Sequence, residues 1–257
     1  MFVVDLSGRN ALVMGVASQR SIAWAISRRL HEAGAHLAFT YQNQRFQGEL
    51  ERLTQGMGSF LLPCDVTREE EIKGAFDALA REMGRLHILV HSVAFARREE
   101  VSGDFSSASR EGFLLALEVS AYSLLAVARC AAPLMEQEGG SILTMTFQGS
   151  ERVFPGYNVM GVAKASLENI VKQLAAEMGP RKVRVNAISA GPLDTLAARG
   201  IQGFVEMKRR WEQRAPLRRN ITHEEVAKTA LFLISDMASG ITGAIIPVDA
   251  GYHIMGL

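Results

Sequence analysis

Short apolar runs alternate with longer amphipathic segments along almost the whole chain. The apolar runs are rich in Val, Ile, Leu and Ala, as buried strands are, and they occupy 10–16, 36–41, 59–66, 86–96, 140–147, 183–191 and 243–251. Between them, segments such as 21–35 and 223–238 repeat apolar residues at helical spacing. This alternation predicts an α/β fold, with a single doubly wound domain and a mostly parallel sheet over residues 1–257. The segment 192–221 is irregular in pattern.

The longest apolar tract, 113–135, predicts a buried helix rather than a membrane span. It contains Glu118 and Arg129 besides three hydroxyl-bearing residues, and a membrane-spanning helix carries few or no charges. A helix that is apolar on nearly all sides is covered on several sides. The cover is either the core of the same chain or a second subunit, and the sequence leaves both open.

Composition narrows the class of protein. The 257 residues include 28 Lys and Arg against 27 Asp and Glu, a formal net charge of +1, so nothing demands a nucleic acid or an anionic membrane as partner. The two cysteines, Cys64 and Cys130, have neither the spacing of a metal site nor that of a disulfide framework. Together with an N-terminus that lacks a signal-peptide pattern, they predict a cytoplasmic protein without a metal.

The first loop predicts a phosphate site. An open parallel sheet binds ligands at the carboxyl ends of its strands, and the first such end is followed by "GVASQRSIA", residues 15–23. Gly15 permits close backbone approach, and Ser21 can cap a helix whose free N-terminus attracts phosphate. The usual G-x-G-x-x-G pattern is absent, so an ordinary strand–helix turn with a Ser cap stays open.

The ends of the second and third strands predict adenosine contacts. Gln42 stands where an acidic residue usually accepts a hydrogen bond from the ribose, and the nearest cation, Arg45, lies three residues on. This pattern favours NADH over NADPH. Asp65 and Val66 could contact the adenine, or they could be turn residues that lead into the next helix.

Tyr157 and Lys164 are the strongest candidates for chemistry. Seven residues are close to two helical turns, so the two side chains are expected to share a face. A free Tyr has a pKa near ~10, and a neighbouring ammonium is expected to lower the pKa of the phenol. Such a phenol can donate a proton to an oxygen that gains negative charge. The alternative for this pair is a surface Tyr and a surface Lys that are unrelated. His91, at the end of the fourth strand, is a further candidate for catalysis, and its alternative is a structural hydrogen-bonding role.

Over its whole length the chain resembles the short-chain dehydrogenase/reductase superfamily, a group of Rossmann proteins. More narrowly it is similar to the bacterial NADH-dependent enoyl-acyl-carrier-protein reductases of fatty-acid synthesis. The resemblance rests on "MGVASQRSIAWAI", "FTYQN", "CDV", "HSVAFA", "YNVMGVAKASLE", "RVNAISAGP", "TLAA", "APLRRNIT" and "GYHIMG". It implies an NADH/NAD+ site formed by Gly15, Ser21, Ile22, Gln42, Asp65, Val66, Ser92, Val93, Ala94, Lys164, Leu193, Thr195 and Ala197. It also implies an enoyl-acyl-carrier-protein substrate and a homotetramer.

The same resemblance implies the substrate contacts. Tyr157 and Lys164 match the family's catalytic pair, and Phe147 is expected beside them as a third residue of the catalytic site. The implied substrate contacts are Ala96, Phe147, Tyr157 and Phe204. The resemblance also implies a substrate-binding loop/helix insertion over residues 192–221. Within it, residues 192–210 match the family's mobile substrate-binding loop, whose apolar residues Leu196, Ile201, Phe204 and Met207 could close over an acyl chain.

Three positions depart from the family pattern. Phe147 stands where Tyr is common, Asp194 where Arg is usual and Ala94 where Gly is usual. Phe147 is either an apolar wall of the site or plain core, and the sequence leaves both open.

The resemblance predicts reduction of a trans-2-enoyl thioester, and two other functions compete with it. One is a carbonyl reductase, which would use Thr144, thirteen residues before Tyr157, as a hydroxyl donor. The other is a regulator that binds the nucleotide without reacting. Because both Tyr157 and Lys164 are present, the regulator is the weaker alternative.

Overall fold

The sheet has seven parallel strands and confirms the predicted α/β fold. The computed structural model describes residues 4–200 and 203–256. The strands are β1 Asn10–Met14, β2 His36–Tyr41, β3 Phe60–Pro63, β4 Ile88–His91, β5 Gly140–Thr146, β6 Val183–Ala190 and β7 Ile245–Val248. Their spatial order is β3-β2-β1-β4-β5-β6-β7, and every neighbouring pair is parallel. The order reverses between β1 and β4, which is where ligands bind in folds of this type.

Helices cover both faces of the sheet. They are α1 Ile22–Glu32, α2 Gln44–Leu53, α3 Glu69–Met83, α4 Arg110–Leu117, α5 Ser123–Met135, α6 Asn158–Met178, α7 Phe204–Arg214 and α8 His223–Ile234. Because side chains alternate along a strand, Ala11 and Val13 of β1 belong to the core layer that contains α1 and α8. Leu12 and Met14 belong to the opposite layer, which contains α3, α5 and α6. Burial on both faces explains why the strands read as continuous apolar runs.

The apolar tract is two helices joined by one π-helical turn, Glu118–Tyr122, rather than a single helix. The stretch Arg110–Met135 is long and apolar enough to cross a membrane by length and composition, a test that core helices of soluble proteins also pass, and half of its most apolar window is buried. The other part carries exposed apolar side chains, among them Leu114 and Tyr122. The tract is therefore covered by the core on one side and open on the other.

One other element prediction was wrong, and a second lacked detail. The strand predicted over 86–96 ends at His91, and residues 92–97 leave the sheet as irregular backbone. The segment 192–221, irregular in pattern and expected to be a loop/helix insertion, contains α7, which begins after Gly203 in the left-handed region (φ 75°). Both differences lie at the carboxyl end of the sheet, beside the site described next.

Candidate active site

One cavity of about 990 Å³ opens at the carboxyl ends of the strands. The residues that the resemblance implies as the NADH/NAD+ site, the catalytic pair and the substrate contacts all line it, from Gly15 after β1 to Phe204 of α7. The sequence thus placed these residues in one site, although it could not give the shape of that site. Within the described ranges 4–200 and 203–256, no cluster of His, Cys, Asp and Glu side chains could hold a metal ion.

The loop after β1 is shaped for close backbone approach. Gly15 has φ 94°, a value that L side chains rarely adopt, and a Cβ added there would collide with the carbonyl group of Ser92. The expectation that the Ser21 side chain caps α1 is wrong, because its Oγ instead accepts hydrogen bonds from the backbone N–H groups of Ala17 and Ser18 at 3.0 Å. The serine therefore fixes the loop, and the first N–H groups of α1, starting with Ile22, stay available to a phosphate.

Gln42 and Asp65 form one hydrogen-bonded pair across the ends of β2 and β3. The Gln42 Nε2 donates to Asp65 Oδ2 at 3.0 Å, while Asp65 Oδ1 accepts from the backbone N–H of Thr67 at 3.0 Å and from its hydroxyl at 2.8 Å. Asp65 is therefore a turn residue and a cavity residue at once. Arg45 is exposed and does not line the cavity, and its Cζ lies 6.0 Å from the Phe46 ring centroid.

Tyr157 stands at the start of α6, directly before Asn158, whose φ is 35°. It is 8% exposed and lines the cavity. Across the part of the chain that the structure describes, its hydroxyl makes no hydrogen bond. Burial, and next the charge of Glu168, raise the pKa of Tyr157 above its usual value. The expected lowering of this pKa by Lys164 is therefore wrong, and the phenol is protonated at neutral pH, which is the form that donates.

Lys164 lies two turns further along α6 and is also buried at 6% exposure. Its Nζ donates to the Met145 carbonyl at 2.9 Å. Burial lowers the pKa of Lys164 to about 8, against the opposing charge of Glu168. At neutral pH most of the molecules therefore carry an ammonium in the cavity wall, a cation suited to an anionic or polar ligand group.

Phe147 is both a cavity wall and a member of an aromatic cluster. Its ring centroid lies 4.8 Å from Phe154, 4.9 Å from Tyr157 in an edge contact and 5.9 Å from Trp211. Trp211 in turn stacks on Tyr252 at 3.8 Å. The cluster joins the end of β5, the start of α6, α7 and the C-terminal turn. Phe147 is therefore both an apolar wall of the site and part of the core, the two alternatives that the sequence left open.

His91 has the structural role that the sequence allowed for it. The ring is fully buried, with Nδ1 3.0 Å from the Thr144 hydroxyl and Nε2 2.8 Å from the Ser123 hydroxyl. Neither His91 nor Thr144 lines the cavity. The proposal of Thr144 as a hydroxyl donor to a substrate therefore loses its geometric basis.

The irregular segment and α7 form the outer wall. Phe204 is buried against the cavity, whereas Leu196 lines it at 45% exposure. Asp194, at one of the three departures, pairs with Lys208 of α7 at 2.6 Å. Ile201, one of the expected acyl contacts, lies outside the described residues, and Met207 does not line the cavity.

Sequence reasoning missed several cavity residues. Leu115, Val119 and Met160 line the cavity with apolar side chains. For Met160 a signal existed, because it follows Tyr157 by three residues on the same helix face. Thr146, which lines the cavity and donates a buried hydrogen bond to Glu168 at 2.6 Å, carried no signal in the pattern.

The site identifies the class of protein as a nucleotide-binding oxidoreductase of Rossmann type. It has a glycine loop after the first strand, polar groups at the next two strand ends and a buried Tyr–Lys pair at the switch point. A family model described as enoyl-(acyl carrier protein) reductase matches residues 15–253. The chain belongs to that family.

Similar proteins cover the whole chain. The enoyl-[acyl-carrier-protein] reductase [NADH] FabI of Bacillus cereus is 54% identical over 98% of this chain and 99% of its own. The corresponding [NADPH] FabI of Staphylococcus aureus strain MRSA252 is 46% identical, with 98% and 99% covered. The crystal structure of the Bacillus cereus enzyme with NADP+ and indole naphthyridinone superposes with a TM-score of 0.96 at 52% identity, covering 100% of both chains. The structure of the Anaplasma phagocytophilum enzyme with NAD gives 0.95 at 41%, covering 100% and 98%.

Proposed function

We propose that the chain is an enoyl-acyl-carrier-protein reductase that uses NADH to reduce the trans-2 double bond of enoyl thioesters in fatty-acid synthesis. The observation that carries the proposal is the unpaired Tyr157 hydroxyl, which lines an apolar cavity together with the buried ammonium of Lys164. Full-length similarity to FabI proteins supports the substrate class.

The residues of the cavity fit a dinucleotide. Gly15 lets the backbone come close to a pyrophosphate at the start of α1. Gln42, whose amide nitrogen is held by Asp65, has its carbonyl oxygen left to accept from a ribose hydroxyl. NADH, when bound, supplies the hydride that the reaction requires.

Tyr157 and Lys164 act on the oxygen side of the substrate. As charge builds on the thioester carbonyl oxygen, the protonated Tyr157 hydroxyl donates a hydrogen bond to it. Lys164 adds positive charge and holds the cofactor ribose. The apolar wall formed by Phe147 and Met160 keeps water away from the reacting atoms.

The proposal extends to partner, assembly and compartment. The substrate arrives on acyl carrier protein, and the exposed apolar side of α4 and α5 is covered in a homotetramer. A mass of four subunits by light scattering tests the assembly. A reducing cytoplasm suits Cys64, whose pKa burial raises to about 12, so that it remains an inert thiol.

The experiment follows NADH absorbance with a trans-2-enoyl thioester and, separately, with a 3-oxoacyl thioester. We expect oxidation of NADH with the first substrate alone. Removing one preorganised donor costs roughly 10²–10³ in rate, so Tyr157→Phe should lose that much kcat while NADH still binds. Turnover of the 3-oxoacyl thioester would identify a carbonyl reductase, and NADH binding without any turnover would identify the regulator.

A further inference from the structure

Helix α6 carries a second buried charge, one turn beyond Lys164. Glu168 is 8% exposed, and its Oε1 accepts a hydrogen bond from the Thr146 hydroxyl at 2.6 Å. Burial of a carboxylate is costly unless the group is hydrogen-bonded or paired. A carboxylate in this place therefore needs an explanation, and the mechanism above does not use it.

The end of β5 holds both charges of α6. Lys164 donates to the carbonyl of Met145 at 2.9 Å, and Glu168 is held by the next residue, Thr146. Residues four apart lie on one helix face, so the strand end fixes the Lys164 ammonium, which lines the cavity, and next to it the Glu168 carboxyl group, which does not line it. Each has its own hydrogen-bond partner, and the two charges act on each other through space.

The surroundings of Lys164 contain three titratable groups. Tyr157 and Glu168 share its helix, and His91 faces it from β4, while β5 contributes hydroxyl and backbone groups. His91, with a pKa lowered to about 3 first by burial, is neutral, and Tyr157 is protonated. Within the described part of the chain, Glu168 is therefore the one group whose charge favours the ammonium form of Lys164.

We propose that Glu168, held by Thr146, is a positioning residue that keeps Lys164 protonated so that it can bind the cofactor. The argument rests on the proposed function, in which Lys164 contacts NADH. Burial lowers the pKa of Lys164 to about 8, and the Glu168 charge opposes this shift. Without the carboxylate, the ammonium would lose its proton at a lower pH.

Equilibrium binding of NADH, followed by fluorescence from about pH 6 to about pH 9, tests the inference without turnover. In the parent protein, affinity should fall as pH rises through the pKa of Lys164. In Glu168→Gln, whose amide oxygen can still accept from Thr146, the fall should come about one pH unit or more lower. Glu168→Asp keeps the charge and should restore most of the parental profile.

The matched control is Glu177→Gln, the same change at an exposed position of α6, which should keep the parental profile. Thr146→Val removes the hydroxyl that donates to the Glu168 carboxylate. It should shift the pH profile of NADH binding in the same direction as Glu168→Gln, but by less, and it replaces that variant as the test if Glu168→Gln does not fold. If Glu168→Gln or Thr146→Val keeps the parental pH profile of NADH binding and loses stability alone, the hydrogen bond between Glu168 and Thr146 only links α6 to β5. That result would overturn the inference. Absence of NADH binding in the parent protein would instead refute the proposed function.

Discussion

At the scale of single residues, Phe147 shows how one ring can serve packing and site together. It contacts Phe154, Tyr157 and Trp211 and also lines the cavity. Lacking a hydroxyl, it cannot donate to a substrate oxygen, so of the two rings in this cluster that line the cavity, Phe147 and Tyr157, the donor is Tyr157. Phe147 therefore contributes shape, and it supports Tyr157 through an edge contact between the rings.

We predict opposite results for two changes at Phe147. Phe147→Ala removes the wall and leaves a cavity, so it should raise KM more than it lowers kcat and destabilise the fold by about 3–5 kcal/mol. Phe147→Tyr should keep activity, because Phe147 lines the cavity, where an added hydroxyl can be accommodated. Steady-state kinetics and urea unfolding of both variants check this. A Phe147→Tyr protein with parental KM but markedly lower stability would contradict the role as a wall.

The sequence predicted which residues meet at the site and failed on their electrostatics. Tyr157 and Lys164 were placed by spacing, and Gly15, Gln42 and Asp65 by their positions after strands, since parallel strands end at one edge. The pKa of Tyr157 moves in the opposite direction to the prediction because burial dominates. Burial is set by tertiary packing, which no spacing of residues reveals.

At the scale of elements, the errors occur where apolar residues serve the cavity instead of the core. Residues after His91 continue the apolar run of β4, yet Val93, Ala94 and Ala96 line the cavity and are not paired in the sheet. The tract 113–135 likewise reads as one helix, because composition does not record the π-helical turn at Glu118–Tyr122. Helices with one buried face, and strands that read as short continuous apolar runs, were predicted well, since both depend on local pattern alone.

Helix α7 is anchored at one end and connected to the segment 192–203 at the other. Its Trp211 is 1% exposed, donates from Nε1 to the Asp249 carbonyl at 2.8 Å and stacks on Tyr252. Towards its start, Lys208 pairs with the partly exposed Asp194, and exposed pairs contribute little, about 0–1 kcal/mol. The end that carries Trp211 is thus the firmer one.

We predict that NAD+ with an acyl mimic protects residues 192–200, and the start of α7, from proteolysis. Closure over the ligands would bring Leu196 and Phe204 against the acyl chain and exclude water. Limited trypsin digestion with mapping of the cut sites, with and without ligands, gives the measurement. Asp194→Asn should speed cleavage of the free protein, and cleavage beyond Trp211 serves as an internal control. Equal cleavage in both states would argue against closure.

At the scale of the whole molecule, His91 joins three central elements. Its ring bridges β4 to Thr144 of β5 and to Ser123 of α5. Burial, and next the charge of Lys164, lower the pKa of His91 to about 3, whereas an unfolded chain has a His pKa near ~6.5. Between about pH 6.5 and about pH 3, His91 is therefore protonated in the unfolded chain and neutral in the folded protein.

The sign of the effect follows from that difference. Where the unfolded state binds more protons, stability rises with pH, so the contribution of His91 is complete above about pH 6.5 and is lost on acidification towards pH 3. One proton corresponds to about 1.4 kcal/mol per pH unit at most. Since this group lies at the centre of the sheet, the loss acts on the global unfolding of the molecule and not on one loop.

We therefore predict that the free energy of unfolding falls by about 1 kcal/mol more in the parent protein than in His91→Asn between pH 6 and pH 5. The substitution costs stability at every pH. Because the asparagine takes up no proton, it also removes the part of the pH dependence of stability that His91 contributes. Urea unfolding at both pH values, at one fixed protein concentration because assembly shifts stability, gives the comparison. His36→Asn makes the same change at the exposed start of β2 and retains His91, so it should retain the parental dependence on this proton. Equal losses of stability in His91→Asn and the parent between the two pH values would mean that the buried ring is already the doubly protonated imidazolium in the folded protein. His91 would then be a cation held by Ser123 and Thr144 rather than the neutral bridge described above.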